Sequence, residues 1–290
     1  MIKTSVAVLT ILMTYAPAYA QDFSVRDDLA RMVQRPPPPL RIVSLAPSIT
    51  ETLFALGLDS SIVGVTDFCN YPDAARKKPR VGGMNNPNLE QITSLRPNLV
   101  VMSISGNNRG DFDKLISLGM NVFVSDPRTI EGVFKSIHDL GAICDRSPSA
   151  QALIDSLRTA EQQLLRKTAI LPMKSAILLL SLRPIITVGK STFVGELLNL
   201  ANARNLTQDA PTSYPMVGRE EILRLQPDVI LVTGEVAHDS LTVLSEYPEW
   251  SSLAAAHKGR IAFIDADLIS RPGPRIIRGL EQIIRAIHGD

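Results

Sequence analysis

Few residues in this chain have the types and spacing that chemistry requires. The four histidines, His138, His238, His257 and His288, are scattered, and none stands at the short interval of a metal-binding pair. Asp265 and Asp267 could act as paired carboxylates, although alternate residues at a strand end more simply describe a loop edge. The chain has no Gly-x-Ser-x-Gly nucleophile elbow. Gly189-Lys190-Ser191-Thr192 carries the Gly-Lys-Ser of a phosphate loop but lacks the glycine that such a loop needs several residues upstream. The expectation is a protein that is not an enzyme and has neither a metal site nor a resident cofactor. Cys69 and Cys144 are too few for a disulfide framework; in an oxidising compartment they could pair with each other.

A different kind of pairing stands out. Glu90 opens the stretch Glu90-Gln91-Ile92-Thr93-Ser94-Leu95-Arg96-Pro97-Asn98-Leu99-Val100-Val101-Met102, and Glu220 opens Glu220-Glu221-Ile222-Leu223-Arg224-Leu225-Gln226-Pro227-Asp228-Val229-Ile230-Leu231-Val232. The register is constant: Ile92 matches Ile222, Leu95 matches Leu225 and Pro97 matches Pro227. Each copy reads as a short helix that ends before proline and feeds an almost wholly apolar strand. Such strands belong in parallel sheets covered on both faces. Two copies of one unit predict two similar α/β lobes. Singly, each glutamate suits the first turn of a helix, where the dipole favours negative charge. As a pair on opposite lobes, they could dock onto basic spots of a symmetric partner.

The remaining elements fit this plan. Residues 1–20 read as a signal peptide, with Lys3, an apolar run from Val6 to Met13, and Ala18-Tyr19-Ala20 before the cleavage point. An exported, soluble protein is expected. Residues 21–39 form a polar segment with some helical character and a stiff run from Pro36 to Pro39, so the folded body is expected to begin near Leu40. An N-terminal α/β lobe is assigned to residues 40–147 and a C-terminal lobe to 171–290. Between them, residues 148–170 read as a long helix, with Leu153, Leu157, Ala160 and Leu164 recurring and no internal glycine after Pro148. The fold class is α/β, with two Rossmann-like lobes joined by a rigid helix. The 290 residues carry a formal net charge of +1 with both signs interspersed, which argues against a nucleic-acid partner. A crevice between the lobes, faced by strand-end loops, is the natural place for a ligand.

The residues Arg41-Ile42-Val43-Ser44-Leu45-Ala46-Pro47-Ser48-Ile49-Thr50-Glu51, Gly83-Met84-Asn85, Asn88-Leu89-Glu90, Phe193-Val194-Gly195-Glu196-Leu197 and Arg271-Pro272-Gly273-Pro274-Arg275 occur in order. Together they resemble the Fe/B12 periplasmic-binding family, closest to its cobalamin-binding subgroup, over roughly residues 40–287. The resemblance implies class III periplasmic-binding-protein architecture. It also implies a monomeric substrate-binding protein that serves an ABC permease dimer and its cytoplasmic ATPase. The family's docking carboxylates fall on Glu90 and Glu220. Phe68, Tyr71, Met84, Tyr214 and Arg271 fall where a ligand would be held. The loop at Gly82-Gly83-Met84 lacks the tryptophan that some cobalamin binders place there. Cobalamin or another corrinoid is the favoured ligand. Haem, with Tyr71 or Tyr214 on iron, and a ferric siderophore, with Arg109, Arg183 and Arg271 in the cleft, stay open. So does a non-transport exported scaffold.

Overall fold

The computed structural model describes residues 23–289; the signal-peptide reading lies outside them. Each lobe is built on a four-stranded parallel sheet. In the first, the strands run in the spatial order Ile62–Val65, Ile42–Ser44, Leu99–Met102, Val122–Val124. In the second, the order is Ala203–Asn205, Lys174–Leu179, Val229–Thr233, Ile261–Ile264. Numbered by chain order within each lobe, both sheets read 2-1-3-4, so the lobes share a topology as well as a class. All pairings within the two sheets are parallel.

The repeated stretch occupies the same place in each sheet. The helices Leu89–Ser94 and Arg219–Leu225 feed the third strand of their lobe. Arg96 and Gln226, matched in the repeat, both take a left-handed conformation (φ 47° and 45°) and turn the chain from helix into strand. The next match but one is structural as well. Asn98 accepts a hydrogen bond from the Arg41 backbone N–H at 2.8 Å, and Asp228 accepts one from Ser175 at 2.8 Å. Each thereby fastens the loop to the first strand of its lobe. Hydrogen bonds from Ser175 hold the Asp228 carboxyl below its ordinary range, despite some opposing burial.

Alternation along the strands shows why they read as continuously apolar. Leu99 and Val101 face one hydrophobic cluster while Val100 and Met102 face another; Ala176 and Leu178 alternate likewise with Ile177 and Leu179. One cluster is shared between lobes: it joins Phe134, Ile137 and Ile154 to Leu197, Ile276 and Ile283. The helix Ser147–Thr168 contributes to it and packs against the helices Ile130–Ile143 and Ile276–His288. Its 22 residues span about 33 Å at 1.5 Å each. The lobes thus meet through continuous apolar packing as well as through a covalent connector.

The N-terminal segment departs from expectation. Ser24–Arg26 and Met32–Gln34 form an antiparallel hairpin, with Val25 opposite Val33, where helical character was predicted. The cause is the turn. The buried Asp27 carboxylate accepts from the backbone N–H groups of Leu29 and Arg31 at 3.0 and 2.9 Å, a local alternative to helix. The Asp28 N–H donates to Val124 at the edge of the first sheet, so the folded body starts well before Leu40. No helix among the described residues is long and apolar enough to cross a membrane.

Candidate functional site

The loops at the carboxyl ends of both sheets enclose one cleft of about 530 Å³. Its N-terminal wall is built first from the loop after Ile42–Ser44. Pro47 starts the helix Pro47–Ala55, where its missing N–H costs nothing. Ser48 and Thr50, either of which could have capped this helix by type, do not; Thr50 Oγ1 donates to Ser44 Oγ at 2.8 Å instead. Asn107 ties two further loops to this one, donating to the carbonyls of Leu45 and Met84 at 2.9 and 2.8 Å. The Met84 side chain lies across Gly106, where a Cβ would come within 2.2 Å of its methyl group. Phe68 stands beside this loop and is 57% exposed.

The opposite wall comes from the Gly189-Lys190-Ser191-Thr192 loop, the following helix Phe193–Leu200 and the Ser213-Tyr214 loop. Thr192 Oγ1 accepts from the Gly195 N–H at 2.9 Å and donates to the Gly189 carbonyl at 2.7 Å. A Cβ at Gly189 would stand 2.6 Å from the Thr212 carbonyl oxygen. The glycine therefore serves close packing of two loops, and Gly-Lys-Ser has a structural explanation without phosphate.

Four of the five expected ligand residues, Phe68, Met84, Tyr214 and Arg271, line the cleft. Tyr71 does not; its ring packs under the Arg275 guanidinium at 4.1 Å. Arg109 and Arg183 are also elsewhere, paired on the surface with Asp113 and Glu246. The arginines that do line the cleft are Arg128 and Arg271. Arg128 stands in no motif of the sequence; Phe193 opens the Phe193-Val194-Gly195-Glu196-Leu197 stretch, but nothing in that stretch marked its ring as a cleft residue.

At the cleft floor the lobes are joined by a polar lock that the sequence did not reveal. Glu51, whose side chain is 2% exposed, accepts from Arg275 Nε and Nη2 at 2.8 and 2.6 Å and from Arg271 Nη1 at 3.3 Å. Arg271 also donates to Asn70 Oδ1 at 2.6 Å and pairs with Asp267 at 2.5 Å. Asn70 donates in turn to Asp267 at 3.0 Å. Hydrogen bonding to Glu51 raises the Arg275 pKa further, against the effect of burial. Asp265 accepts from the Asp267 backbone N–H at 2.9 Å, so these carboxylates have separate structural partners rather than a shared proton.

Glu90 and Glu220 are exposed in the first turns of matching helices. Their surroundings differ. Glu220 lies 3.1 Å from Arg219; a hydrogen bond from its own backbone N–H and then Arg219 hold its carboxyl below the ordinary range. Glu90 has no ion-pair partner among the described residues. The proposed Cys69–Cys144 disulfide is not formed. Both thiols are free and buried, and Cys69 Sγ lies 3.1 and 3.2 Å from the hydroxyls of Thr50 and Thr66.

This architecture is shared with known proteins. The periplasmic binding protein family model matches residues 42–268. The chain belongs to that family. It is 34% identical over 259 residues to the ABC transporter substrate-binding lipoprotein YvrC of Bacillus subtilis (strain 168), covering 87% of this chain and 81% of that protein. The solved periplasmic vitamin B12 binding protein BtuF of Vibrio cholerae is 28% identical, with a TM-score of 0.77 over 85% of this chain and 96% of that one. The periplasmic heme binding protein HutB of Vibrio cholerae is 25% identical, with a TM-score of 0.75 over 84% and 97%. Membership accounts for the twin sheets, the long connecting helix and a cleft at the strand ends.

Proposed function

We propose that this periplasmic binding protein captures cobalamin or a related corrinoid between its lobes and presents it to the permease of an ABC importer. The observation that carries this reading is the composition of the cleft. Phe68 and Met84 on one wall oppose Phe193 and Tyr214 on the other, while Ser48, Ser103, Ser105, Ser191, Ser213 and Ser270 stand around them. Broad apolar groups from two sides suit the faces of a macrocycle, and hydroxyls suit an edge rich in amides. The likeness to vitamin B12-binding proteins supports the same ring class. Capture rather than turnover is part of the proposal, because Asp265 and Asp267 are already engaged in structure. Glu90 and Glu220, on matching helices, supply the two points of contact with the permease.

A second reading, haem, is favoured by Tyr214, a phenol on the cleft wall that could bind iron, and by the likeness to a heme-binding protein. Calorimetric titration of the mature chain with cyanocobalamin, cobinamide and haemin separates the two. Saturable one-to-one binding of cyanocobalamin is the expected result. Haemin binding with a visible spectral shift, and no heat from either corrinoid, would replace the first reading by the second. Silence with all three ligands would defeat both.

A further inference from the structure

The loop after the edge strand Val122–Val124 holds a carboxylate and a guanidinium in an unusual division of labour. Asp126, whose side chain is 10% exposed, accepts from Ser103 Oγ at 2.6 Å, the Ser105 N–H at 2.8 Å and Ser105 Oγ at 3.0 Å. It also receives Arg128 Nε at 3.1 Å and Nη2 at 2.9 Å. Burial pushes the Asp126 carboxyl up, but the bonds from Ser103, Ser105 and Arg128 together outweigh it and leave the pKa lowered. The carboxylate is therefore a fixed, charged anchor. Arg128 is the opposite. Its side chain is 70% exposed and forms part of the cleft wall.

A guanidinium has five N–H donors in a planar fork. Asp126 takes one from Nε and one from Nη2, leaving three that have no further acceptor among the described residues. Those donors are aimed by a clamp whose own charge offsets theirs. The other arginine of the cleft, Arg271, is likewise neutralised by Glu51 and Asp267. The lining carries two arginines against the three carboxylates Asp126, Glu235 and Asp267. A ligand carboxylate approaching Arg128 would meet Asp126 immediately behind it, and like charges at that range repel. An uncharged carbonyl oxygen would gain the hydrogen bonds without that repulsion.

We propose that Arg128, clamped by Asp126, is a specificity-determining donor that selects uncharged carbonyl acceptors, such as carboxamides, over carboxylates on the rim of a bound macrocycle. This rests on the reading of the cleft as a macrocycle site. It assigns the choice of peripheral group to one pair of side chains, independently of which ring lies between the aromatic walls. Asp126 acts through Arg128 and is a positioning residue.

The test titrates wild type, Arg128→Gln and Asp126→Asn with two matched sets of probes. One set is cyanocobalamin and its monocarboxylic acids, each with one carboxamide converted to a carboxylate. The other is haemin dimethyl ester and haemin. Whichever set binds identifies the ring. Within that set, wild type should prefer the uncharged member. Arg128→Gln, a change at an exposed side chain, should lower affinity for that member about tenfold, the worth of a charge-assisted hydrogen bond. Asp126→Asn should move the preference towards the carboxylate member. If a set binds but Arg128→Gln treats all its members as wild type does, the inference is overturned while the macrocycle reading stands. A wild-type preference for the carboxylate member overturns it equally. If neither set binds, both fall together.

Discussion

Arg275 closes on Glu51 through two hydrogen bonds of 2.8 and 2.6 Å, although 224 positions separate them in the chain. One residue belongs to the first helix of the N-terminal lobe and the other immediately precedes the final helix. Their contact makes the cleft floor a polar lock set within apolar packing. Removing one partner from a buried pair leaves an uncompensated charge, which typically costs about 3–5 kcal/mol. Glu51→Ala is expected to cost an amount of this order, because it leaves the guanidiniums of both Arg271 and Arg275 without their shared acceptor. Arg275→Ala should cost less, since Arg271 still reaches Glu51 at 3.3 Å. Denaturant unfolding should show the midpoint falling at an unchanged slope. Equal losses for the two variants would count against the lock.

The aromatic residues divide by position. Phe68→Ala and Tyr214→Ala each remove a large side chain from a cleft wall. Each should weaken binding of cyanocobalamin about tenfold to a hundredfold, equivalent to about 1.5–3 kcal/mol of apolar contact. Tyr71→Ala should leave affinity nearly unchanged, because its ring supports Arg275 rather than the cleft. Calorimetry on the three variants checks this, and a large loss at Tyr71 alone would reverse the assignment.

Docking is expected to be separable from capture. Reversal of both exposed carboxylates, Glu90→Lys with Glu220→Lys, should abolish most uptake of ligand by cells while leaving the purified protein's affinity intact. Contacts at an exposed rim act mainly through steering and register, so the defect should depend on ionic strength in reconstituted transport. The single variants should differ, since Arg219 already engages Glu220 while Glu90 stands without an ion pair among the described residues. Wild-type uptake by the double variant would remove these glutamates from the interface.

The thiols offer a direct chemical check. Burial pushes the Cys144 thiol up to about 12, and Cys69 is equally enclosed. The thiolate is the reactive form. The folded protein, purified without reductant, should therefore resist alkylation at neutral pH and yield two thiols per chain once unfolded. Recovery of none after unfolding would restore the disulfide.

What the sequence made legible was local or repeated. Pro97 and Pro227 marked where two helices stop, and the apolar runs beyond them identified the third strand of each sheet. The match extends to Arg96 and Gln226, which share a left-handed turn, and to Asn98 and Asp228, which share a bond to the first strand. The hairpin at 24–34 was hidden because its stability comes from the Asp27 turn and the edge of the neighbouring sheet, neither of which imposes a long period on the sequence. Glu51 and Arg275 both lay in recognisable stretches, but no periodicity relates residues on different lobes. Arg128 carried no signal apart from its proximity to Asp126, whose role depends on Ser103 and Ser105 arriving from another loop.

The pH dependence of stability follows from two groups of carboxylates with opposite shifts. Glu196 Oε2 accepts from the Ile130 N–H across the lobes at 3.0 Å. Burial raises its pKa from the ordinary 4.5, the Ile130 bond opposes this and the nearby Glu131 adds to it. Glu161, on the connecting helix, is raised in the same way, by burial and then Glu131, against the pull of Arg158. A group raised on folding takes up its proton first in the native state. Stability should therefore rise as pH falls from neutrality through the folded pKa values of Glu161 and Glu196, and this gain is complete once pH is below 4.5. Asp126 and Asp228 are lowered from 3.8, so their contribution is present above 3.8 and is lost as pH falls below it through their folded values. Unfolding midpoints measured across this range should rise and then collapse. Glu161→Gln with Glu196→Gln should flatten the rise while leaving the collapse in place, and Asp228→Asn should reduce the collapse while leaving the rise. A rise that survives the double glutamine variant would mean that other groups carry it.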